Sequence, residues 1–403
     1  MNALCVSRWR SRGLATVNAI VLGNGSSGRA AVELLRREGA NVAVLDGDDA
    51  WPDGTWDVCV TSPGIPLGHK WQVAARAAGV KVISELQLGA SCWKGRVLAV
   101  TGSKGKSSVV KLIADTLNLA GVPAVPCGNY GTPLCEVANT RGDDVGVWAI
   151  VEVSSFQMET TDECHPDAAA ILNLQEDHLD RHGSVEAYHA LKRNLLAGAM
   201  KVCVPEETDA PLLRGSYFDN EVLRTNGLIA IALLRVAGLG DTQIAAGFRA
   251  FEPLPHRMQL ITEIGGVRYV DDSKATSLAA LEAGVAMCGG PVRLIAGGLA
   301  KGDNPKSVIP RLRSTAKKVY LIGRCADQFL SAWREAVPCE ACGTLDRAVE
   351  AARRDAVAGE TVLLSPGAAS FDQFDSYGVR GDAFAAFDCA KARRAEPGTT
   401  KQG

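Results

Sequence analysis

The residues best suited to chemistry are gathered in Thr101-Gly102-Ser103-Lys104-Gly105-Lys106-Ser107-Ser108. An apolar run, RVLAV, leads in, and an amphipathic one, KSSVVKLIADTLNLAG, leads out. A strand-to-helix turn of this kind aims backbone N–H groups at a phosphate. Lys106 would reach the β/γ oxygens of a nucleotide, and Ser107 would offer its hydroxyl to Mg2+. The loop reads G-x-x-G-K-S, shorter than the common G-x-x-x-x-G-K-[ST], so a chance Gly-Lys-Ser is the competing reading.

Other candidates follow the same strand-end logic. Glu152 closes GVWAIVEV, where a carboxylate can hold Mg2+; strands also end in acids without function. Asp177, His178, Asp180 and His182 crowd into NLQEDHLDRH. That mixture suits Mg2+ or Mn2+, and equally an acid-rich helix start. Lys192, in AYHALKRNLL, would alone pass as a solvated helix lysine. Nearer the N-terminus, Gly23-Asn24-Gly25-Ser26-Ser27-Gly28 fits G-x-G-x-x-G after VNAIVL, with Asp46 about 20 residues on. It suits a dinucleotide, another nucleotide diphosphate or an unliganded turn. In Leu254-Pro255-His256-Arg257, the arginine can grip a phosphate bidentately. In Asp271-Asp272-Ser273-Lys274-Ala275-Thr276, the lysine can bind a carboxylate.

These loops need rigid supports, and the sequence supplies a rhythm of apolar strand, glycine turn and amphipathic helix. VNAIVLG, NVAVLD, VCVTS, RVLAVTG, GVWAIVEV, AAAILNL, VRYVDD, VRLIAGG, KKVYLIG and TVLLSP read as strands. Strands alternating with helices predict an α/β protein with parallel sheets. The 403 residues are enough for two or three domains. Boundaries are expected in SCWKG and in FEPLPHR, which two prolines stiffen. With 47% hydrophobic and 22% charged residues, the chain reads as globular and not disordered. A net charge of −2 argues against nucleic acid as a partner. No apolar run approaches the roughly 18 residues of a membrane span. The first residues read as a short extension, and EPGTTKQG as a polar tail. The 12 cysteines read as reduced structural thiols of a cytoplasmic protein, with CEAC a weak metal or redox signal.

Taken in order, these segments resemble the bacterial Mur ligases, nearest their D-glutamate-adding (MurD) branch. The carriers are GNGSSG, TSPGIP, GSKGKSS, GNYG, VEVSSFQ, ILNLQEDHLDR, LPHR, DDSKAT, AGGLAKG and SPGAASFDQFDSYGVRG, over nearly the whole chain. Sibling ligases and folylpolyglutamate synthases resemble it in the ATPase region, whereas DDSKAT and SPGAASFDQF look like the D-glutamate branch.

The resemblance implies three domains: a Rossmann-like UDP-binding domain over 1–94, a P-loop ATPase domain over 95–253 and a Rossmann-like amino-acid-binding domain over 254–403. It implies an ATP-dependent acid–amino-acid ligase that adds D-glutamate to UDP-N-acetylmuramoyl-L-alanine through an acyl phosphate. That reaction belongs to peptidoglycan synthesis in the cytoplasm, and so to cell shape and division. By resemblance, Lys106, Glu152, His178 and Lys192 are catalytic. Ser107, Glu152, His178 and carbamylated Lys192 would hold two Mg2+ ions. Gly102 to Ser108, Asn226, Arg257 and Asp272 would bind ATP, with His256 beside them. Ser26, Ser27, Asp46, Ser62, Pro63 and Gly64 would take the UDP part, and Asn129 and Gln157 the muramoyl-peptide part. Lys274, Thr276, Lys301, Ser370, Phe371 and Tyr377 would shape the amino-acid site. A monomer without membrane insertion is implied as well.

Two departures stand out. The bridge KVCVPEETDAPLLRGSYFDNEVLRTN is shorter than in the family, and the family's histidine and first asparagine before Asn226 are Val222 and Leu223 here. Three other functions therefore compete: a sibling ligase for L-glutamate, an inactive UDP-sugar-binding paralogue and an NAD oxidoreductase resting on Gly23–Gly28 alone.

Overall fold

The computed structural model describes residues 17–395, with side chains to residue 387. The expected N-terminal extension and polar tail lie outside the described residues. The described chain divides into two compact units, one up to Phe251 and one from Glu252, with Asn220–Val222 grouped with the second.

The first unit holds two parallel sheets. One is built from β1 (Asn18–Leu22), β2 (Asn41–Leu45), β3 (Val58–Thr61) and β4 (Lys81–Ser84), in the order β2-β1-β3-β4. The other is built from β5 (Arg96–Thr101), β6 (Ala124–Gly128), β7 (Trp148–Glu152) and β8 (Ala168–Ile171), in the order β6-β7-β5-β8. The central strands are continuous apolar runs because both faces are covered: β3 and β7 are buried throughout. One hydrophobic cluster joins the two sheets, with Ala19, Val60 and Ile83 from the first and Ala99, Ala149 and Val151 from the second. The helices Glu85–Cys92 and Leu134–Arg141 meet there. A Cβ at Gly89 would lie 2.7 Å from the Cys135 nitrogen, so only glycine allows that approach.

The short bridge after Lys192 closes the second sheet without further strands. Val202 makes an isolated bridge to Ala169 on β8. A 3-10 turn at Glu207–Leu213 then delivers Leu213 and Phe218, both fully buried, onto Gly227 of the Arg224–Val236 helix. Leu223 sits at the start of that helix and packs on the same core. At one of the two positions where the family carries polar residues, this chain therefore packs an aliphatic side chain. Met200, Val202 and Val204 are exposed along the bridge.

The second unit holds one six-stranded sheet: β9 (Gln259–Ile264), β10 (Val267–Asp271), β11 (Val292–Gly297), β12 (Ala316–Ile322), β13 (Cys339–Gly343) and β14 (Thr361–Leu364). Its order is β13-β12-β11-β14-β10-β9, and β9 is the antiparallel member. The chain leaves β10, builds outward from β11 and returns as β14 between them. This topological switch opens a crevice at the carboxyl ends of β10, β11 and β14. The CEAC cysteines lie on β13, with Cys339 packed on one hydrophobic cluster and Cys342 buried in another. They share no site. The cysteines of the described residues are free thiols. Among the described residues no helix is long and apolar enough to cross a membrane.

Candidate active site

The phosphate loop joins β5 to the Lys106–Leu119 helix as the sequence predicts. Gly102 and Gly105 take φ values of 148° and 84°, conformations that disfavour any side chain. The Lys106 ammonium donates to the Gly102 and Ser103 carbonyls at 2.8 and 3.1 Å. Ser107 is half-buried and Ser108 buried in the helix's first turn. Two residues outside the loop lock its shape. Asn173 accepts from the Lys104 N–H at 2.8 Å and donates to the Lys104 carbonyl at 3.0 Å. The Tyr188 hydroxyl donates to Ser103 Oγ at 3.1 Å. Asn226 is buried against the loop: a Cβ at Gly105 would lie 2.3 Å from its amide nitrogen.

Glu152, at the end of β7, is 2% exposed. Its Oε1 accepts from Asn129 Nδ2 at 2.7 Å, while its buried Oε2 has no hydrogen-bond partner among the described residues. A buried carboxylate oxygen left bare is costly unless a cation completes it. Oxygen donors of this kind fit Mg2+. Lys192 is buried over the Tyr188 ring, 4.6 Å from its centroid. Burial, aided by the nearby Lys106 charge, pushes its amine down to about 7. Burial works to raise the Asp177 carboxyl, but the Lys104 ammonium, 3.1 Å away, more than offsets it, so the group sits below its ordinary value. His178 adopts a left-handed φ of 52° at the head of a short helix, Leu179–His182, and its ring lies 4.8 Å from Phe156. Gln157 closes a capping box: its Oε1 accepts from both the N–H and the hydroxyl of Ser154 at 2.9 Å.

The glycine loop after β1 opens the Ser26–Arg37 helix, whose start no side chain caps. Uncapped first-turn N–H groups of this kind, those of Ser26 and Ser27 among them, can take an anion. A Cβ on Gly28 would lie 1.8 Å from the Gly23 carbonyl, so that turn requires glycine. Ser62, Pro63 and Gly64 follow β3, the neighbour of β1. The Ser62 hydroxyl is buried without a partner among the described residues, beside Gly23. Asp46 follows β2 and is exposed, and its N–H donates to Asp49.

In the second unit, His256 and Met258 flank Arg257 with φ values of 59° and 49°. His256 Nδ1 lies 2.7 Å from Asp271 Oδ2. Burial pushes the Asp272 carboxyl up to about 7, although it accepts from the Ser365 hydroxyl and the Met258 N–H. Lys274 Nζ stands 4.0 Å from the centroid of Tyr377, and Lys301 donates to Thr276 Oγ1 at 3.1 Å. Ser370 is buried, whereas Phe371 is 72% exposed. Lys274 and Thr276 follow the carboxyl end of β10, Lys301 follows that of β11, and Ser370 and Phe371 follow that of β14. Arg380, which sequence reasoning passed over, is 1% exposed beneath them. It donates to Ser273 O at 2.9 Å and to Ala368 O at 3.2 Å, clasping the β10 and β14 loops. Its place inside DSYGVRG was the available signal.

Comparison with known proteins agrees along the chain. A Mur ligase middle domain matches residues 100–209, and a Mur ligase, glutamate ligase domain matches residues 256–367. The UDP-N-acetylmuramoylalanine–D-glutamate ligase of Acidobacterium capsulatum is 33% identical over 437 residues, covering 91% of this chain and 94% of that protein. The protein of that name from Nitratidesulfovibrio vulgaris strain DP4 is 34% identical over 414 residues, covering 91% and 95%. In fold, the MurF ligase of Thermotoga maritima, solved with ADP, aligns over 95% of this chain and 99% of its own with a TM-score of 0.58 at 14% identity. The chain belongs to the Mur ligase family, among the UDP-N-acetylmuramoylalanine–D-glutamate ligases.

Proposed function

We propose that the chain is the ATP-dependent ligase that joins D-glutamate to UDP-N-acetylmuramoyl-L-alanine in cytoplasmic peptidoglycan precursor synthesis. The observation that carries this reading in geometry is the bare Glu152 oxygen at the end of β7, next in the sheet to the strand that carries the phosphate loop. Such a site suits phosphoryl transfer, where positioning and charge do most of the work.

The substrate carboxylate is a poor electrophile at neutral pH. Its oxygen attacks the γ-phosphorus of ATP, the bond to the ADP oxygen breaks, and an acyl phosphate forms. The amine of D-glutamate then adds to the acyl carbon. The tetrahedral adduct expels phosphate and leaves an amide. Lys106, now folded onto its own loop carbonyls, would turn to the β/γ-phosphates. Gly102 to Ser108 would cradle them, and Asn226 would reach the adenine. Arg257 and Asp272 would also bind ATP. Ser107, Glu152, His178 and a carbamylated Lys192 would hold Mg2+, as two ions. Bound Mg2+ would neutralise phosphate charge. A Lys192 amine with a value near 7 is about half neutral at pH 7, the form that can add CO2.

Ser26, Ser27, Asp46, Ser62, Pro63 and Gly64 would bind the UDP part, and Asn129 and Gln157 the muramoyl-peptide part. Lys274, Thr276, Lys301, Ser370, Phe371 and Tyr377 would receive D-glutamate. The corresponding domains are 1–94, 95–253 and 254–403, in a monomer. Incubation with ATP, Mg2+, UDP-N-acetylmuramoyl-L-alanine and isotope-labelled D-glutamate should place the label in the UDP-linked product. Label appearing only from L-glutamate would move the chain to a sibling reaction.

A further inference from the structure

One side chain ties together two loops to which the proposed function gives different ligands. Arg181 lies on the Leu179–His182 helix, just beyond His178. Its Nη2 donates to the Ile65 carbonyl at 3.1 Å and, more weakly, to the Pro63 carbonyl at 3.4 Å. Those carbonyls belong to the loop after β3 whose Ser62 hydroxyl is buried without a partner among the described residues. The same guanidinium grips Glu159 with Nε at 2.9 Å and Nη2 at 2.6 Å. The Glu159 side chain is 5% exposed and also faces His182 Nδ1 at 3.3 Å. The other His182 nitrogen lies 3.0 Å from Ser155 Oγ, on the segment that follows Glu152. The guanidinium stands 5.0 Å from the centroid of Phe156, whose ring in turn meets His178.

Only an arginine meets all these demands. Its planar fork can hold a carboxylate with two N–H groups, donate sideways to carbonyls and stack on an aromatic face. A lysine offers one compact charge and would have to abandon at least one partner.

We propose that Arg181 is a positioning residue that holds the Ser62–Ile65 loop and the His178 helix in one frame, so that occupancy of the UDP loop and placement of His178 depend on each other. The proposal rests on the reading that the first loop takes the UDP-sugar and that His178 serves the metal.

The test compares the wild type with Arg181→Lys, Glu159→Gln and the double variant. Without ligand, hydrogen exchange should quicken in both the 62–66 and the 178–183 segments of Arg181→Lys. With substrates, the KM for UDP-N-acetylmuramoyl-L-alanine and the half-saturating Mg2+ concentration should rise together, by about 10- to 100-fold. Because both variants break one clamp, the double variant should be little worse than either single one. Faster exchange in one segment only, a shift in one constant only, or additive effects would overturn the proposal. A wild type without UDP-substrate turnover would sink the ligase reading, while exchange would still judge the clamp. If Arg181→Lys does not fold, Phe156→Leu removes the ring beneath the guanidinium together with its contacts to His178 and His182, so the 62–66 segment is the readout that bears on the clamp. It should move both segments in the same direction by less, and movement of 178–183 alone would count against the clamp.

Discussion

Glu152 and Lys192 show how burial prepares two side chains for opposite tasks. The carboxylate is held at one oxygen by Asn129 and left bare at the other, and the amine is driven towards neutrality. Two outcomes follow for single residues. Lys106→Ala should lower kcat by about a hundredfold or more with the fold intact, as loss of a donor to developing phosphate charge does. Steady-state ADP release read beside a thermal melt checks this. The Lys192 amine titrates near 7 and becomes protonated as pH falls. Bicarbonate added to CO2-depleted enzyme should therefore restore activity at pH 8 and fail increasingly below pH 7. Equal restoration at pH 5.5 would contradict the neutral-amine account. At this scale GSKGKSS and Glu152 were legible in the sequence, since the one follows an apolar run and the other closes one, and His178 was legible through the crowding of acids and histidines in NLQEDHLDRH. The loop-holding roles of Asn173 and Tyr188 were not, because they arise from pairings across 69 and 85 residues; Ser62 came from the family resemblance, and its unfilled hydroxyl shows only in the fold.

Among the elements, the sequence rhythm recovered every central strand and overlooked β4, β6, β9 and β13. All four are sheet edges. An edge strand is covered on fewer sides, so its sequence is less apolar: β6 contains Pro126, and β9 carries Gln259, Thr262 and Glu263 among its aliphatics. The clasp by Arg380 gives a prediction for the loops between elements. Burial lowers the guanidinium to about 10, so it remains cationic at neutral pH. Arg380→Met should destabilise the second unit by ~2–4 kcal/mol, because it strands the Ser273 and Ala368 carbonyls. Urea unfolding with an unchanged slope checks this, and a change below about 0.5 kcal/mol would contradict it.

The α/β class of the whole molecule was readable from strand–helix alternation. The insertion of β14 between β10 and β11 was not, because strand order is set by pairing between segments distant in the chain. The junction of the first unit's two sheets yields a pH prediction. Glu85 is buried there, its Oε1 accepting from the Cys135 N–H, and burial pushes its carboxyl up to about 7 from 4.5. The folded state thus binds more protons between these values, and this group's contribution to stability is lost as pH rises through 7. Glu85→Gln should match the wild type near pH 4.5 and exceed it by ~3 kcal/mol at pH 8. Melting curves at both values decide it, and a gain that is the same at both would contradict the assignment.

The central claim is a reaction, so the most direct measurement is phosphate release. The chain is given ATP, Mg2+ and UDP-N-acetylmuramoyl-L-alanine, with D-glutamate, L-glutamate or neither. The account predicts release that requires D-glutamate and disappears in Lys106→Ala. Release that requires L-glutamate, or none with either enantiomer at saturating substrate, would contradict it.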